Sequence, residues 1–290
     1  MSQNRSTLAG VLVLLAFTTS TYAQSAIDGS AVRLTKASGS VYMADIPSGE
    51  GGGNVAASVG PDGILLVDDM FAASVPRLQL ALKGLTDQPV RVVINTHFHG
   101  DHIQGNRVLA RSAIVIGQQN VLARISQPSG TAPYPMVTFA DEMRLVFNGE
   151  PIRVVHLPAA HTDGDAIVYF EKAHVLHMGD TFFFGMFPAV YREGGGDIKG
   201  LIAALDRVVG EFPADTKVIP GHGQLATMHD LEQYVTMLKE TVAAVEEGLR
   251  QHTSAETLRA VPAVSKYAAL GDGGAQTLDQ YVAMLMKLLQ

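Results

Sequence analysis

Short apolar runs bounded by glycine, proline and aspartate alternate along this chain with stretches in which apolar residues recur every three or four positions. The first pattern predicts β-strands, the second amphipathic helices. Val41-Tyr42-Met43 and Asn54 to Val59 flank Gly49-Glu50-Gly51-Gly52-Gly53, which predicts a hairpin with a mobile tip. Ile64 to Val67 follows the turn residues Pro61-Asp62-Gly63 and reads as a buried strand ending at Asp68-Asp69, and Arg91 to Asn95 reads as another. Between them, Ser74 to Leu85 has Pro76 in its first turn and apolar residues at Leu78, Leu82 and Leu85, which predicts a helix.

The later part keeps this alternation. Ile152 to His156, Ala166 to Phe170, Val175 to Met178 and Val218-Ile219 predict strands, and Asp197 is placed to cap a helix through Val209 that stops at Gly210. Leu231, Tyr234, Val235, Leu238, Val242, Val245 and Leu249 follow helical spacing, as do Leu278, Tyr281, Val282, Leu285 and Leu288. No long linker or repeat interrupts the series. The expectation is one α/β domain over residues 24–290, with a helical carboxy-terminal extension from about residue 228.

The first 23 residues obey a different logic. Arg5, the apolar run Leu8 to Phe17 and Thr21-Tyr22-Ala23 before Gln24 describe a signal peptide cleaved near Ala23. A periplasmic or secreted protein is expected, with no stable membrane insertion after signal removal, because the run is too short to span a bilayer comfortably. The chain of 290 residues has no cysteine, so it offers neither disulfides nor thiolate ligands. With 28 acidic against 21 basic residues and no basic run, it lacks the footprint of a nucleic-acid binder. A small-molecule substrate is the expected partner, and nothing in the sequence fixes an oligomeric state.

Candidate chemistry is concentrated in His97-Phe98-His99-Gly100-Asp101-His102, directly after a predicted strand. In extended backbone, residues two apart point the same way, so His97 and His99 can reach one ion. A turn at Gly100 redirects Asp101 and His102 toward a neighbouring position. Three imidazoles around one turn repel when protonated and are unfavourable to bury without a metal, which favours ligation over ordinary hydrogen bonding. Zinc suits imidazole and carboxylate and takes about three protein ligands with an open position, so further ligands must come from elsewhere. The strongest candidates sit at strand ends beside glycine: His161, Asp180 and His222. His156, His174, His177, His229 and His252 have no motif around them, and Asp163 and Asp165 read as turn or supporting groups.

With these segments in this order, the chain resembles the metallo-β-lactamase superfamily from roughly Val41 to Gly223. The resemblance implies an αββα sandwich of two mixed sheets with outer helices, the metals at one edge, and two Zn2+ per chain. It implies that His97, His99 and His161 bind the first zinc, that Asp101, His102 and His222 bind the second, and that Asp180 bridges them. Paired divalent ions lower the pKa of a shared water to about 7, so a hydroxide is expected to attack a cyclic amide or ester carbonyl, with Asp101 as the catalytic group orienting it.

Export favours a β-lactam substrate. However, broad-spectrum β-lactamases with this His-rich motif carry a cysteine where this chain has Asp180, and a substrate-binding lysine where it has Phe183. Asp180 looks like the arrangement in glyoxalase II, lactonases and phosphodiesterases, which keeps lactone, thioester and phosphodiester hydrolysis as alternatives. An iron-dependent oxidoreductase resembling persulfide dioxygenases is a further, less favoured one. Phe183, Phe184 and Tyr191 are expected to wall the substrate pocket, with Arg192 or Lys199 as a replacement anion anchor.

Overall fold

The computed structural model describes residues 31–126 and 135–290. The predicted signal peptide, residues 1–23, lies outside the described residues. Two mixed sheets form. The first follows chain order: β1 (Arg33–Ser38), β2 (Val41–Asp45), β3 (Val55–Gly60), β4 (Gly63–Val67), β5 (Val90–Asn95), β6 (Ile114–Gln118) and β7 (Val137–Phe139). It is antiparallel up to β4 and parallel from β4 to β7. The second contains β8 (Glu142–Phe147), β9 (Glu150–His156), β10 (Ala166–Phe170), β11 (Val175–His177), β12 (Lys217–Ile219) and β13 (Ala226–Thr227), with β11 and β12 its parallel pair.

Side-chain alternation decides the layering. In β4, Leu65 and Val67 point into the space between the sheets, where they join Ile94 of β5 and Val168 and Phe170 of β10. Ile64 and Leu66 point the opposite way and pack under α1 (Val75–Lys83) through Val75, Leu78 and Leu82. Because both faces are covered, these strands read as continuous apolar runs. Short helices α2 (Gly100–Ile103), α3 (Asn106–Leu109) and α4 (Gln119–Ile125) decorate the first sheet's connections. The outer face of the second sheet, including Ile167 and Leu176, packs against α5 (Ile198–Glu211) and α6 (Met228–Arg250). Beyond them lie α7 (Ala255–Ala260), α8 (Pro262–Ser265) and α9 (Leu278–Leu289). The order of layers is helix, sheet, sheet, helix, as the αββα expectation requires.

One edge collects the functional loops. Parallel pairing puts the carboxyl ends of β4 and β5 side by side, and likewise those of β11 and β12. Antiparallel pairing returns the end of β9 and the start of β10 to that edge. There the sheets are tied by Ala166 N–H to the Thr96 carbonyl at 2.8 Å and by Asn54 N–H to the Gly221 carbonyl at 2.7 Å.

Two expected helix ends need correction. The first helix ends at Lys83, leaving Leu85 outside it and 38% exposed. Asp197 does cap α5, its side chain accepting from Gly200 N at 2.7 Å, but the helix passes through Gly210 to Glu211. Its stop is Pro213, which holds the preceding Phe212 in extended backbone. The glycine-rich hairpin tip is pinned at its base by Gly53 N–H to the Asp101 carbonyl and by Phe71 N–H to the Gly51 carbonyl.

Candidate metal centre

β5 ends at Asn95 and delivers the buried His97 two residues on, His99 follows in extended backbone as the residue before α2, and that single helical turn carries Asp101 and His102. His161 lies in the turn between β9 and β10, Asp180 after β11, and His222 after β12. The structure brings all seven together in two groups, His97, His99, His161 and Asp180, and Asp101, His102, His222 and Asp180. Within the first, His99 Nδ1 lies 3.1 Å from His97 Nε2 and 2.9 Å from His161 Nε2. Asp180 Oδ2 lies 3.5 Å from His161 Nε2 and 3.8 Å from His97 Nε2. Within the second, Asp180 Oδ1 is 3.1 Å from His102 Nε2 and 3.4 Å from His222 Nε2, while Asp101 Oδ2 stands 3.5 and 3.3 Å from the same two nitrogens. One carboxylate therefore presents a different oxygen to each group.

Partners behind the imidazoles assign their tautomers. His161 Nδ1 lies 2.6 Å from the Ala189 carbonyl, which can only accept, so His161 carries its proton there and turns a lone pair inward at Nε2. His102 Nδ1 donates to Asp68 Oδ2 at 2.7 Å in the same manner. The Thr96 hydroxyl gives its proton to Asp68 at 2.7 Å and so accepts from His97 Nδ1 at 3.0 Å. Each of the three therefore turns Nε2 toward the cluster, where it is the lone pair offered once any proton there is displaced. Inward-facing nitrogens held from behind in this way suit ligation of a cation. His102 Nε2 and Asp180 Oδ1 are both buried without a hydrogen-bond partner, which fits a divalent ion between them. The donor set of imidazoles and carboxylates, two groups sharing one carboxylate, therefore suits a pair of such ions.

Charge is distributed unequally. Burial, reinforced by His102, pushes the His97 imidazole well below its usual range, and burial with His161 lowers His99 to about 4. On the other side burial also pulls His102 and His222 down, but the carboxylates prevail. Asp180, Asp101 and Asp68 hold His102 well above its usual range, and Asp180 with Asp101 raises His222 to about 9. Against burial, His102 and His222 hold the Asp180 carboxyl well below the ordinary range, and Asp101 is lowered in the same way.

Two glycines make the close approach possible. A methyl group at Gly53 would overlap the His102 ring, and one at Gly221 would overlap Asp180 Oδ1. A cavity of about 1000 Å³ opens above, lined by His99, Asp101, Asp180 and His222 and by the hairpin residues Ile46 to Glu50. Phe183 and Tyr191 line it as well. The Phe183 ring stacks on His222 at 5.4 Å, and Tyr191 stands edge-on to His99 at 4.8 Å. Phe184 does not line it. It packs, partly buried, against the helix-covered core that also holds the Phe182 ring, 6.1 Å away. Nor do the expected anion anchors reach it. The Arg192 guanidinium donates to the Leu288 carbonyl at 2.6 Å, and Lys199 pairs with Glu246 at 2.6 Å.

Several supporting groups went unread in the sequence. Asp68 was visible only as the end of a strand and Thr96 not at all, although Asp68 also accepts from Thr96 N at 2.7 Å. Asn54 ties the His222 loop down, donating to the carbonyls of Pro220 and Gly223 at 2.9 Å each. The buried His177, assigned no motif, contacts the Asn54 carbonyl at 3.1 Å.

A family model described as the metallo-beta-lactamase superfamily matches residues 48–242. The chain belongs to that superfamily. Membership makes it one of a class of metal-dependent hydrolases, and it places the seven converging residues inside the matched region. The chain is 23% identical over 227 residues to a type 2 metallo-beta-lactamase of Bacteroides fragilis, covering 73% of this chain and 88% of that one. It is 30% identical over 158 residues to a hydroxyacylglutathione hydrolase of Gloeobacter violaceus, covering 53% of this chain and 59% of the relative. Among solved structures, a metallo-beta-lactamase from Pontibacter korlensis superposes with a TM-score of 0.62 at 22% identity, covering 72% of this chain and 99% of that one. This last similarity speaks for the superfamily fold.

Proposed function

We propose that this chain is an exported di-zinc hydrolase that opens the amide of a β-lactam ring. His97, His99 and His161 would hold one Zn2+, Asp101, His102 and His222 the other, and Asp180 would contribute an oxygen to each. The observation that carries this reading is the split of the Asp180 carboxylate, Oδ2 toward one group and Oδ1 toward the other. Bound there, the two ions would supply a water ionised near neutral pH and polarise the scissile carbonyl.

The chain's own residues do the remaining work. Asp101, one-quarter exposed at its side chain and lowered below the usual carboxylate range, stays ionised at neutral pH. That suits ligation and acceptance of a hydrogen bond from water better than storage of a proton. Phe183, Tyr191 and the Ile46–Glu50 hairpin wall a cavity of a size suited to a small bicyclic substrate. Support for a β-lactam comes from the type 2 metallo-beta-lactamase, most of whose length is spanned. Among the described residues no helix is long and apolar enough to cross a membrane, and export rests on the amino-terminal signal pattern.

A second reading, hydrolysis of an uncharged lactone or thioester, is favoured by the cavity's charge. Among the described lining residues Arg33 is the one Lys or Arg, and its guanidinium is committed to Asp45 at 3.0 and 2.6 Å. Glu50 adds a further negative group to the rim. A substrate carboxylate thus meets no unpaired side-chain cation among these residues. The deciding experiment assays penicillins, carbapenems, homoserine lactones, thioesters and phosphodiesters with protein that has been metal-depleted and then zinc-restored. Zinc-dependent turnover of a β-lactam supports the first reading and turnover of lactones or thioesters alone the second. Iron loading with oxygen consumption overturns both.

A further inference from the structure

The matched superfamily region ends at residue 242, and α9 lies beyond it. The loop from Phe183 to Gly194 nevertheless rests on α9 along most of its length. The Phe187 and Tyr281 rings, both fully buried, stack at 4.2 Å with 13° between their planes. Gln276 Nε2 donates to the Pro188 carbonyl at 2.6 Å, and Val190 N–H is directed at Met284 Sδ at 3.3 Å. Arg192 donates to the Leu288 carbonyl, and Lys287 pairs with Glu193 at 2.7 Å. Ahead of α9, Gly273 packs so closely on Met186 and the Gly185 carbonyl that a methyl group would clash, and Gly273 to Ala275 join the cavity wall.

Two of these bonds flank a single residue. Pro188 and Val190 are held from the α9 side, and between them stands Ala189, whose carbonyl fixes the His161 proton at Nδ1. Two positions on, Tyr191 leans edge-on over His99 and His161. The loop also lies on the His161 backbone, since Tyr191 N–H donates to the His161 carbonyl at 3.2 Å.

We infer that α9 and the turn before it form a positioning element of the metal centre, locking the loop where the Ala189 carbonyl orients His161 and Tyr191 roofs the cavity. The inference rests on the di-metal reading and concerns its first site. Partners that orient a metal-bound imidazole are worth about 10- to 100-fold in metal affinity, because a free ring must be reordered at each binding event.

The test titrates metal-depleted full-length protein with zinc, and with cobalt(II) to read the ligand-field spectrum of each site. The Gln276→Ala/Arg192→Ala double variant is expected to lose about 10- to 100-fold in first-site affinity, with an altered first-site cobalt spectrum and little change at the second. Lys266→Ala, which removes an exposed pair with Glu240 elsewhere in the carboxy-terminal region, should leave both sites as they were. Unchanged first-site affinity and spectrum in the double variant, or an equal loss at both sites, overturns the inference. Should the double variant fail to fold, Gln276→Ala alone carries the same test. Wild-type protein that takes up no metal overturns the di-metal reading itself, and the inference with it.

Discussion

On the first side of the centre three imidazoles face one another across 2.9 and 3.1 Å with a single carboxylate oxygen among them. On the second, two imidazoles share their space with Asp101 and Asp180, and Asp68 stands behind. Ligand count is alike and charge is not. His97 and His99 are driven toward the neutral form, in which their lone pairs are already available, whereas His102 and His222 are drawn toward the protonated form by the carboxylates around them. A cation entering the first side displaces little. Entering the second, it must displace protons but meets more negative charge once they are gone.

The largest effect should come from the residue both sides share. Asp180→Ala should remove zinc-dependent turnover by about 10³-fold or more and impair metal uptake at both sites, read by steady-state kinetics with metal analysis. Asp101→Ala and His99→Ala should separate the sides, each cutting turnover by orders of magnitude and each depleting a different metal, while circular dichroism stays native. Near-normal activity in metal-checked preparations of either would remove that residue from the centre. Asp68→Ala takes away the acceptor for both His102 and the Thr96 hydroxyl, and should weaken second-site metal binding by about 10- to 100-fold.

A pH titration sharpens the contrast further. With His222 raised to about 9, second-site affinity should climb between pH 7 and 9 by about tenfold per unit for each proton displaced. The sign follows from competition, since the proton must leave before the lone pair can bind. With His99 lowered to about 4, protonation of that ring should not limit first-site binding above pH 5. Calorimetry in buffers of different ionisation enthalpy checks this through the protons released at each step, and equal release at both sites would sink the charge argument. Smallest of all, Lys199→Glu should leave KM for anionic and neutral substrates unchanged, because Lys199 is exposed and paired with Glu246 rather than placed in the cavity.

Particular residues show which parts of this molecule were readable in advance. β4, β5, β10 and β11 announced themselves because strands covered on both faces must be apolar throughout. β8 did not. Its partly buried Met143, Leu145 and Phe147 alternate with exposed Glu142, Arg144 and Val146, so the last of these breaks the polar side of the pattern. The seven converging side chains could be proposed because ligation needs specific residue types at strand ends. The Ala189 carbonyl could not be, since every residue has a carbonyl and only its position makes this one useful. Phe184 and Arg192 were misplaced for a related reason: nearness to Asp180 in sequence carries no information about which way a side chain turns.

Spacing and composition by themselves determined many of the core strands and the longer helices, the absence of thiolate chemistry, and a short list of imidazoles and carboxylates suited to a divalent ion. The tertiary structure decided that they divide into two groups around one carboxylate, which imidazole nitrogens face inward, how negative each side is, and that a carboxy-terminal helix braces the loop behind His161. The physical reason is that ligand chemistry belongs to the side chain. Lone-pair direction, local charge and bracing belong to neighbours that lie far away along the chain and come near only when the two sheets close on each other.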